Sequence, residues 1–157
     1  MARLTHIDDE GAARMVDIGF KPETAREAIA EGKIRMSDEA RSALVSAKSA
    51  KGDAIAVARV AGIMAAKKTG ELIPLCHSLA LDRVSIDFTA EEDGIRVVAS
   101  VALTARTGVE MEAMTAVTVA LLTLYDMGKA IDKGMQIEGV RLFRKTGGRS
   151  GDWEAPS

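Results

Sequence analysis

Two neighbouring segments with alternating polar and apolar residues limit the fold of this chain more than any other feature of its sequence. They cover residues 83–88 and 95–104, and Asp93-Gly94 lies between them. A period of two predicts strands that bury one face, and Asp-Gly is a strong signal for the tight turn of a hairpin. The sequence therefore predicts an antiparallel sheet built around this hairpin.

Two long helices flank the predicted hairpin. The first is predicted over residues 53–69, because Asp53 can cap its N-terminus and Gly70 can end it. The second is predicted over residues 109–131. The first helix is apolar nearly all round, which is typical of a helix buried on more than one side.

Shorter elements complete the order. Strands are predicted over residues 33–36 and 136–144, a short helix over residues 22–31 of an otherwise irregular segment 1–32, and a Gly-rich basic tail over residues 145–157. From residue 33 onward the order is β-α-β-β-α-β. This order predicts an α+β, ferredoxin-like fold, an antiparallel sheet with helices packed on one face. With 157 residues, the whole chain is expected to form a single domain.

Composition argues against several classes of partner. The net charge is −2 and aromatic residues make up 3% of the chain, so a surface that binds nucleic acid is not expected. The longest uncharged apolar stretch, residues 113–125, is shorter than the roughly 20 residues that cross a bilayer. Cys76 is the only cysteine, which excludes an internal disulfide and suits a reducing compartment. We therefore expect a cytoplasmic protein with no membrane or nucleic-acid partner.

Cys76 and His77 form the first candidate site. They follow Pro74, which breaks a helix and predicts a turn or loop. A histidine in such a loop can carry protons or bind a metal, but a partly buried histidine bonded to backbone is equally ordinary. The pair alone offers too few ligands for zinc.

Glu110 and Glu112 form the second candidate site, at the start of the second long helix. On a helix their side chains point about 200° apart. They are expected to share one ligand only where the chain is extended, just before the helix begins. Otherwise they are two solvated acids that favour the helix dipole.

Two further candidates involve lysines. Lys51 precedes Gly52 at the start of the first long helix, where a phosphate can approach free backbone N–H groups. Asp126 and Lys129 are neighbours on one helix face, and they form either a surface ion pair or, inside a pocket, an acid–base couple.

The tail offers a last candidate. Lys145 and Arg149 enclose a glycine pair, a composition that fits a flexible anion-binding strap as well as a solvated tail. Residue types and spacing alone thus indicate an α+β enzyme or binding domain, and a phosphorylated molecule is one candidate for its ligand.

Six segments, taken together and in order, carry a resemblance to a known family. They are LTHIDDEGAARMVDI (4–18), KGD (51–53), LIPLCHSL (72–79), TGVEMEAMTAV (107–117), LYDMGKAIDK (124–133) and KTGGRSGDW (145–153). With these segments the chain resembles cyclic pyranopterin monophosphate synthases, also called molybdenum cofactor biosynthesis protein C. LIPLCH and TGVEMEA are highly specific to that family, and the resemblance covers nearly the whole chain.

The resemblance implies a ferredoxin-like fold and a reaction. The implied substrate is (8S)-3′,8-cyclo-7,8-dihydroguanosine 5′-triphosphate, a cyclised dihydro-GTP, and the implied products are cyclic pyranopterin monophosphate and pyrophosphate. No built-in cofactor or metal site is implied, although Mg²⁺ can accompany the triphosphate. A homohexamer, a trimer of dimers, is implied as well.

The resemblance also implies roles for individual residues. The substrate-binding residues are expected to be Leu75, Cys76, His77, Glu110, Met111, Glu112 and Lys145, with Arg26 and Lys67 as further cations for the triphosphate. The catalytic residues are expected to be Asp126, Lys51 and Lys129. Ser78 stands where the family usually has proline, a change that loosens the loop of His77 but removes no reactive group.

The distance between these residues predicts an active site between subunits. Glu112 and Asp126 lie on one predicted helix, about 21 Å apart at roughly 1.5 Å per residue. One nucleotide cannot comfortably reach both ends of that helix and also meet His77 and Lys51.

Two other functions compete with a synthase. A non-catalytic nucleotide-binding regulatory domain would keep the lysines but would not need Asp126 beside Lys129. A metal-dependent hydrolase would use His77, Glu110, Glu112 and Asp126 around a bound metal.

Overall fold

A five-stranded antiparallel sheet forms the centre of the protein in the computed structural model, which describes residues 4–46 and 53–156. Its strands are β1 (Thr24–Arg35), β2 (Arg83–Glu91), β3 (Gly94–Ala105), β4 (Gln136–Thr146) and β5 (Trp153–Glu154). They lie in the order β2-β3-β1-β4-β5, and every neighbouring pair is antiparallel.

Four helices accompany the sheet: α1 (Asp38–Val45), α2 (Ala54–Lys67), α3 (Thr69–Leu72) and α4 (Glu110–Gly128). With α2 and α4 as the two crossover helices, the chain has the predicted β-α-β-β-α-β order, and the α+β fold class is confirmed. A tight turn joins β2 to β3 as expected, although its two loop residues are Glu92 and Asp93, and Gly94 already pairs with Glu91. Element α1, the short α3 and the edge strand β5 were not predicted.

The short helix predicted over residues 22–31 is wrong, because residues 24–31 belong to the long central strand β1. Ala28, Ala30 and Ile34 are at most 1% exposed and alternate with residues on the other face. β1 pairs with β3 on one side and β4 on the other. The Ala- and Glu-rich composition favours a helix locally, but pairing on both edges overrides such a weak preference. The strand predicted over residues 33–36 is only the end of this element.

Glu31 of β1 lies on the sheet face opposite the helices. Glu31 is 9% exposed and accepts hydrogen bonds from Arg96 on β3 and from Arg141 Nε on β4, the latter at 2.8 Å. Burial alone would raise the pKa of Glu31, but the two guanidinium groups lower it below its usual value. The carboxylate thus joins three strands.

Small residues let the helices lie close to the sheet and to each other. A side chain at Gly32 of β1 would come within 3.0 Å of Val117 on α4. A side chain at Gly62 of α2 would come within 2.8 Å of the backbone oxygen of Ala116 on α4. The missing side chain at Gly32 therefore makes room for α4.

The predicted ends of both long helices need adjustment. Asp53 caps α2 as expected, since its side chain accepts a hydrogen bond from the Ala56 N–H at 3.0 Å. However, α2 ends at Lys67, and Gly70 lies within α3 rather than stopping α2. α4 covers residues 110–128 rather than 109–131.

The strand register defines two ends of the molecule. We call the end where Thr24 of β1 faces Ala105 of β3 the cavity end, because a cavity opens there. The helix α4 begins near this end, at Glu110. We call the opposite end, where Arg35 of β1 faces both Gly94 and Gln136, the hairpin end. α4 runs from the cavity end to the hairpin end, where Gly128 lies against Met135.

Candidate active site

The first cavity, of about 260 Å³, opens at the cavity end. Three segments form its wall: the N-terminal segment, the loop after α3, and the start of α4. Its lining residues are Thr5, His6, Val16, Ile18, Lys21, Leu75, Cys76, His77, Leu79, Thr107, Gly108, Glu110, Met111 and Glu112. Six residues expected to bind substrate, from the two specific motifs, therefore meet in one cavity.

The loop of Cys76 and His77 is a turn, as Pro74 predicted. The Cys76 N–H donates to the carbonyl of Ile73 at 3.1 Å. His77 Nε2 lies 2.9 Å from the carbonyl oxygen of Val16, and because a carbonyl can only accept, this nitrogen carries the proton. The bond fixes the imidazole and fastens the N-terminal segment over the cavity.

Glu110 and Glu112 both face the first cavity, although their spacing predicted otherwise. Both belong to the first turn of α4. The carboxylate of Glu110 folds back against Gly108, where no side chain obstructs it. Glu112 points inward and is only 4% exposed. The two acids therefore reach one cavity from the first turn of the helix, because the missing Cβ at Gly108 leaves room for the carboxylate of Glu110.

Burial raises the pKa of Glu112 to about 7, against the opposing effect of a backbone hydrogen bond, and the negative charge of Glu110 adds to the rise. Burial, together with the charge of Glu112, also raises the pKa of Cys76. At neutral pH Glu112 is thus divided between its two protonation states, which suits a group that gives and takes protons. Cys76 remains a thiol, and this argues against a role as nucleophile.

A second cavity of about 370 Å³ is lined by cations. Its lining residues are Phe20, Lys21, Pro22, Thr24, Arg26, Gly148 and Arg149. Arg26 Nε donates to the carbonyl of Ala105 at 3.1 Å, and a side chain at Gly148 would collide with its guanidinium group. Gly147 and Gly148 have φ of 82° and 81°, which favours glycine. The glycines of the tail thus form a specific turn beside Arg26.

Lys145 links the acids of the first cavity to the turn of the tail. Its ammonium lies 3.4 Å from Glu110 Oε1 and 2.7 Å from Ser150 Oγ. The turn is also held by Asp152, whose side chain accepts from the Gly147 N–H at 3.0 Å. The tail is therefore an ordered basic turn that ends in strand β5, in place of a flexible strap.

The other expected site residues lie elsewhere. Asp126 and Lys129 form an exposed ion pair of 2.6 Å at the hairpin end, and the hydrogen bond that Lys129 donates to Asp126 raises the pKa of Lys129. Lys67 lines a separate cavity together with Arg83, at the start of β2. Lys51 lies outside the described residues. A single chain thus brings together six of the expected binding residues in the first cavity, but not Lys67, Asp126 or Lys129.

Comparison with known proteins identifies the family. The sequence model of the MoaC family matches residues 15–148. This chain belongs to the MoaC family. Among its relatives, a protein of Novosphingobium aromaticivorans is 62% identical over 155 residues, covering 99% of both chains. Proteins of Chloroflexus aggregans and Brucella ovis are 57% and 54% identical, covering 97% and 96% of this chain and 93% of each relative. All three relatives are named cyclic pyranopterin monophosphate synthase.

Membership of the MoaC family agrees with the first-cavity motifs, but three polar cavity residues of the N-terminal segment were not predicted. Thr5, His6 and Lys21 line the first cavity from the N-terminal segment. His6 and Thr5 belong to the quoted segment 4–18, which contributed to the resemblance without any assigned role. Lys21 stands three residues after the end of that segment, and only the folded turn before it shows that Lys21 lines the cavity.

The described part of this MoaC-family chain contains neither a cluster of metal ligands nor a membrane-spanning helix. Within residues 4–46 and 53–156, no three His, Cys, Asp or Glu side chains lie close enough together to hold a metal ion. In the same ranges no helix is both long and apolar enough to cross a membrane.

Proposed function

We propose that this chain is a cyclic pyranopterin monophosphate synthase of molybdenum cofactor biosynthesis. The observation that carries the proposal is Glu112, a buried carboxyl with a pKa of about 7, in one cavity with Cys76 and His77 and next to a second cavity lined by cations. Relatives that are 54–62% identical carry this enzyme name. An acid–base cavity beside a cationic one suits a substrate with a ring system and a triphosphate.

The proposed reaction combines a ring rearrangement with a phosphoryl transfer. The cyclised dihydro-GTP opens and closes rings to become a pyranopterin, which requires several proton transfers. In the phosphoryl step, a sugar hydroxyl oxygen forms a bond to the α-phosphorus. The bond from this phosphorus to the oxygen bridging it to the β-phosphate breaks, pyrophosphate leaves with the electron pair, and the hydroxyl proton passes to a base. Nearby cations stabilise the charge that develops on the leaving group.

In this proposal each of the two cavities binds a different part of the substrate. The first cavity takes the ring system, where Leu75 and Met111 contribute apolar walls and Glu112 exchanges protons. Arg26 in the second cavity, with Lys145 beside it, takes the phosphates, and Mg²⁺ can accompany them. Lys67 adds a further cation at the same end of the molecule.

Proton transfer is further assigned to Lys51 and Lys129. Asp126 raises the pKa of Lys129, which keeps this lysine protonated and makes it the acid or a phosphate partner. Lys51 is then the base. An arginine in its place would keep the charge but could not release the proton.

The proposal includes a homohexamer, a trimer of dimers, in the cytoplasm. Asp126 and Lys129 lie at the hairpin end, whereas His77 and Glu112 lie at the cavity end. A neighbouring subunit that brings its hairpin end to the cavity end of this chain would complete the catalytic set.

The test is to incubate the purified protein with the cyclised dihydro-GTP and to measure pyrophosphate and pterin product separately. A synthase releases both in equal amounts, and Asp126→Asn, as an intact oligomer, loses most turnover. Phosphate or pyrophosphate without a pterin, abolished by a chelator, would instead identify a metal-dependent hydrolase. Tight binding with neither product would identify a regulatory nucleotide-binding domain.

A further inference from the structure

Lys21 separates the two cavities. Of the residues that the structure describes, it alone lines both the first cavity and the second. A ligand that extends from one cavity into the other must therefore pass its side chain.

A tight turn holds Lys21 at this boundary. The Lys21 N–H donates to the carbonyl of Ile18 at 3.1 Å, and the Gly19 N–H donates to Asp17 Oδ1 at 2.8 Å. Arg106 donates to the carbonyl of Gly19 at 3.1 Å and so ties the turn to the end of β3. Across residues 4–46 and 53–156, no ion pair joins Lys21 to an acid, so its ammonium is available to a ligand.

The charges on either side of Lys21 orient a nucleotide. Besides Lys21 itself, the first cavity contains acids and histidines but no other lysine or arginine. The second cavity contains Arg26 and Arg149 and no acid. A ring system is favoured in the first cavity and a polyphosphate in the second. Because the α-phosphate is the one bonded to the sugar, it is the phosphate that lies at the boundary.

We propose that Lys21 binds the α-phosphate, which stays in the cyclic product, whereas Arg149 binds the pyrophosphate that leaves. The inference rests on the proposed function and adds that different cations bind the phosphate that stays and the phosphates that leave. The Lys21 contact survives the reaction, and the Arg149 contact is lost with the leaving group. Lys21 thus positions the phosphorus during attack and continues to hold the product.

The test measures product and pyrophosphate affinity separately, in four proteins. Cyclic pyranopterin monophosphate, made with the wild-type protein, and inorganic pyrophosphate are each titrated by calorimetry into wild type, Lys21→Ala, Arg149→Ala and Lys68→Ala. Lys68 is an exposed lysine just after α2 that lines neither cavity, so its variant controls for the loss of one charge at the same end of the molecule.

Loss of one charge-assisted contact weakens binding roughly tenfold or more. We expect Lys21→Ala to lose about that much affinity for the product and far less for pyrophosphate, Arg149→Ala to show the reverse, and Lys68→Ala to match wild type. A Lys21→Ala protein that keeps its product affinity, or loses both affinities equally, would overturn the inference while wild-type turnover still supports the synthase. A wild-type protein that neither makes nor binds the product would overturn the proposed function itself.

Discussion

At the scale of single residues, Glu112 departs most from its ordinary chemistry. It is one of two first-turn acids on α4, and a solvated carboxylate there would simply favour the helix dipole. Instead it is 4% exposed and has a pKa of about 7, because burial penalises its charged form. Spacing could not predict this, since the burial depends on the 75–79 loop and the N-terminal segment that fold over it.

The raised pKa of Glu112 makes the stability of the fold depend on pH. In the folded state the carboxyl titrates near 7, and in the unfolded chain near 4.5. Between these values the folded state binds more protons, so wild-type stability falls as pH rises, and it levels off above about 7. Glu112→Gln has no charge to bury. Its free energy of unfolding should equal that of wild type near pH 4.5 and exceed it by at most about 3 kcal/mol above pH 7.

Urea denaturation of both proteins from pH 4.5 to 8 measures this difference. Glu39→Gln serves as the matched control, because Glu39 is an exposed first-turn acid on α1, and its variant should follow wild type at every pH. A Glu112→Gln difference that stays flat across the range would mean that Glu112 is charged in the folded protein.

At the scale of secondary structure, prediction succeeded where local signals and tertiary pairing agree. The β2–β3 hairpin has both the alternation and the Asp93-Gly94 turn, and α2 has its Asp53 cap, so these were found from the sequence. β1 was missed because its Ala28–Ala30 region has helical composition, and only its partners β3 and β4, distant in sequence, make it a strand. The short motifs located the first cavity, but not Lys21, whose role arises from the folded turn.

The contact between α2 and α4 depends on Gly62. Replacement by Ala favours the helix by about 1 kcal/mol in local propensity, but the added methyl would come within 2.8 Å of the Ala116 backbone oxygen. Because a backbone atom cannot move aside easily, we expect Gly62→Ala to lower the free energy of unfolding by about 1–2 kcal/mol. Val60→Ala on the same helix, at an exposed position, should change it little. Urea midpoints measure both, and a stabilised Gly62→Ala protein would show that the two helices can separate without cost.

At the scale of the whole molecule, the residues of the proposed active site lie at both ends of one chain. Glu112 is at the cavity end of α4 and Asp126 at the hairpin end, about 21 Å apart along the helix. Two copies of the chain can bring such groups together if one copy places its hairpin end against the first cavity of the other. One chain then supplies the binding residues and another supplies Asp126 and Lys129.

Mixing two inactive variants tests this arrangement. Glu112→Ala and Asp126→Ala are each expected to be inactive alone. If every site draws Glu112 from one chain and Asp126 from another, random reassembly of equal amounts leaves about one quarter of the sites intact. We expect recovery of turnover toward that level, with wild-type subunits carried through the same dissociation as the control. If the mixtures stay inactive although the subunits reassemble normally, both residues of each site belong to the same chain.

The position of β1 in the sheet also decides how the chain can fold during synthesis. β1 leaves the ribosome well before its partners, which are β3, ending at Ala105, and β4, ending at Thr146. The β2–β3 hairpin can form locally, whereas enclosing β1 requires the closure of long loops, a slow step for a non-local sheet. Until residues 136–146 emerge, the nascent chain exposes a strand with an unpaired edge, the feature most prone to wrong pairing with another chain. Protection of β1 by a chaperone is therefore most valuable just before β4 is made.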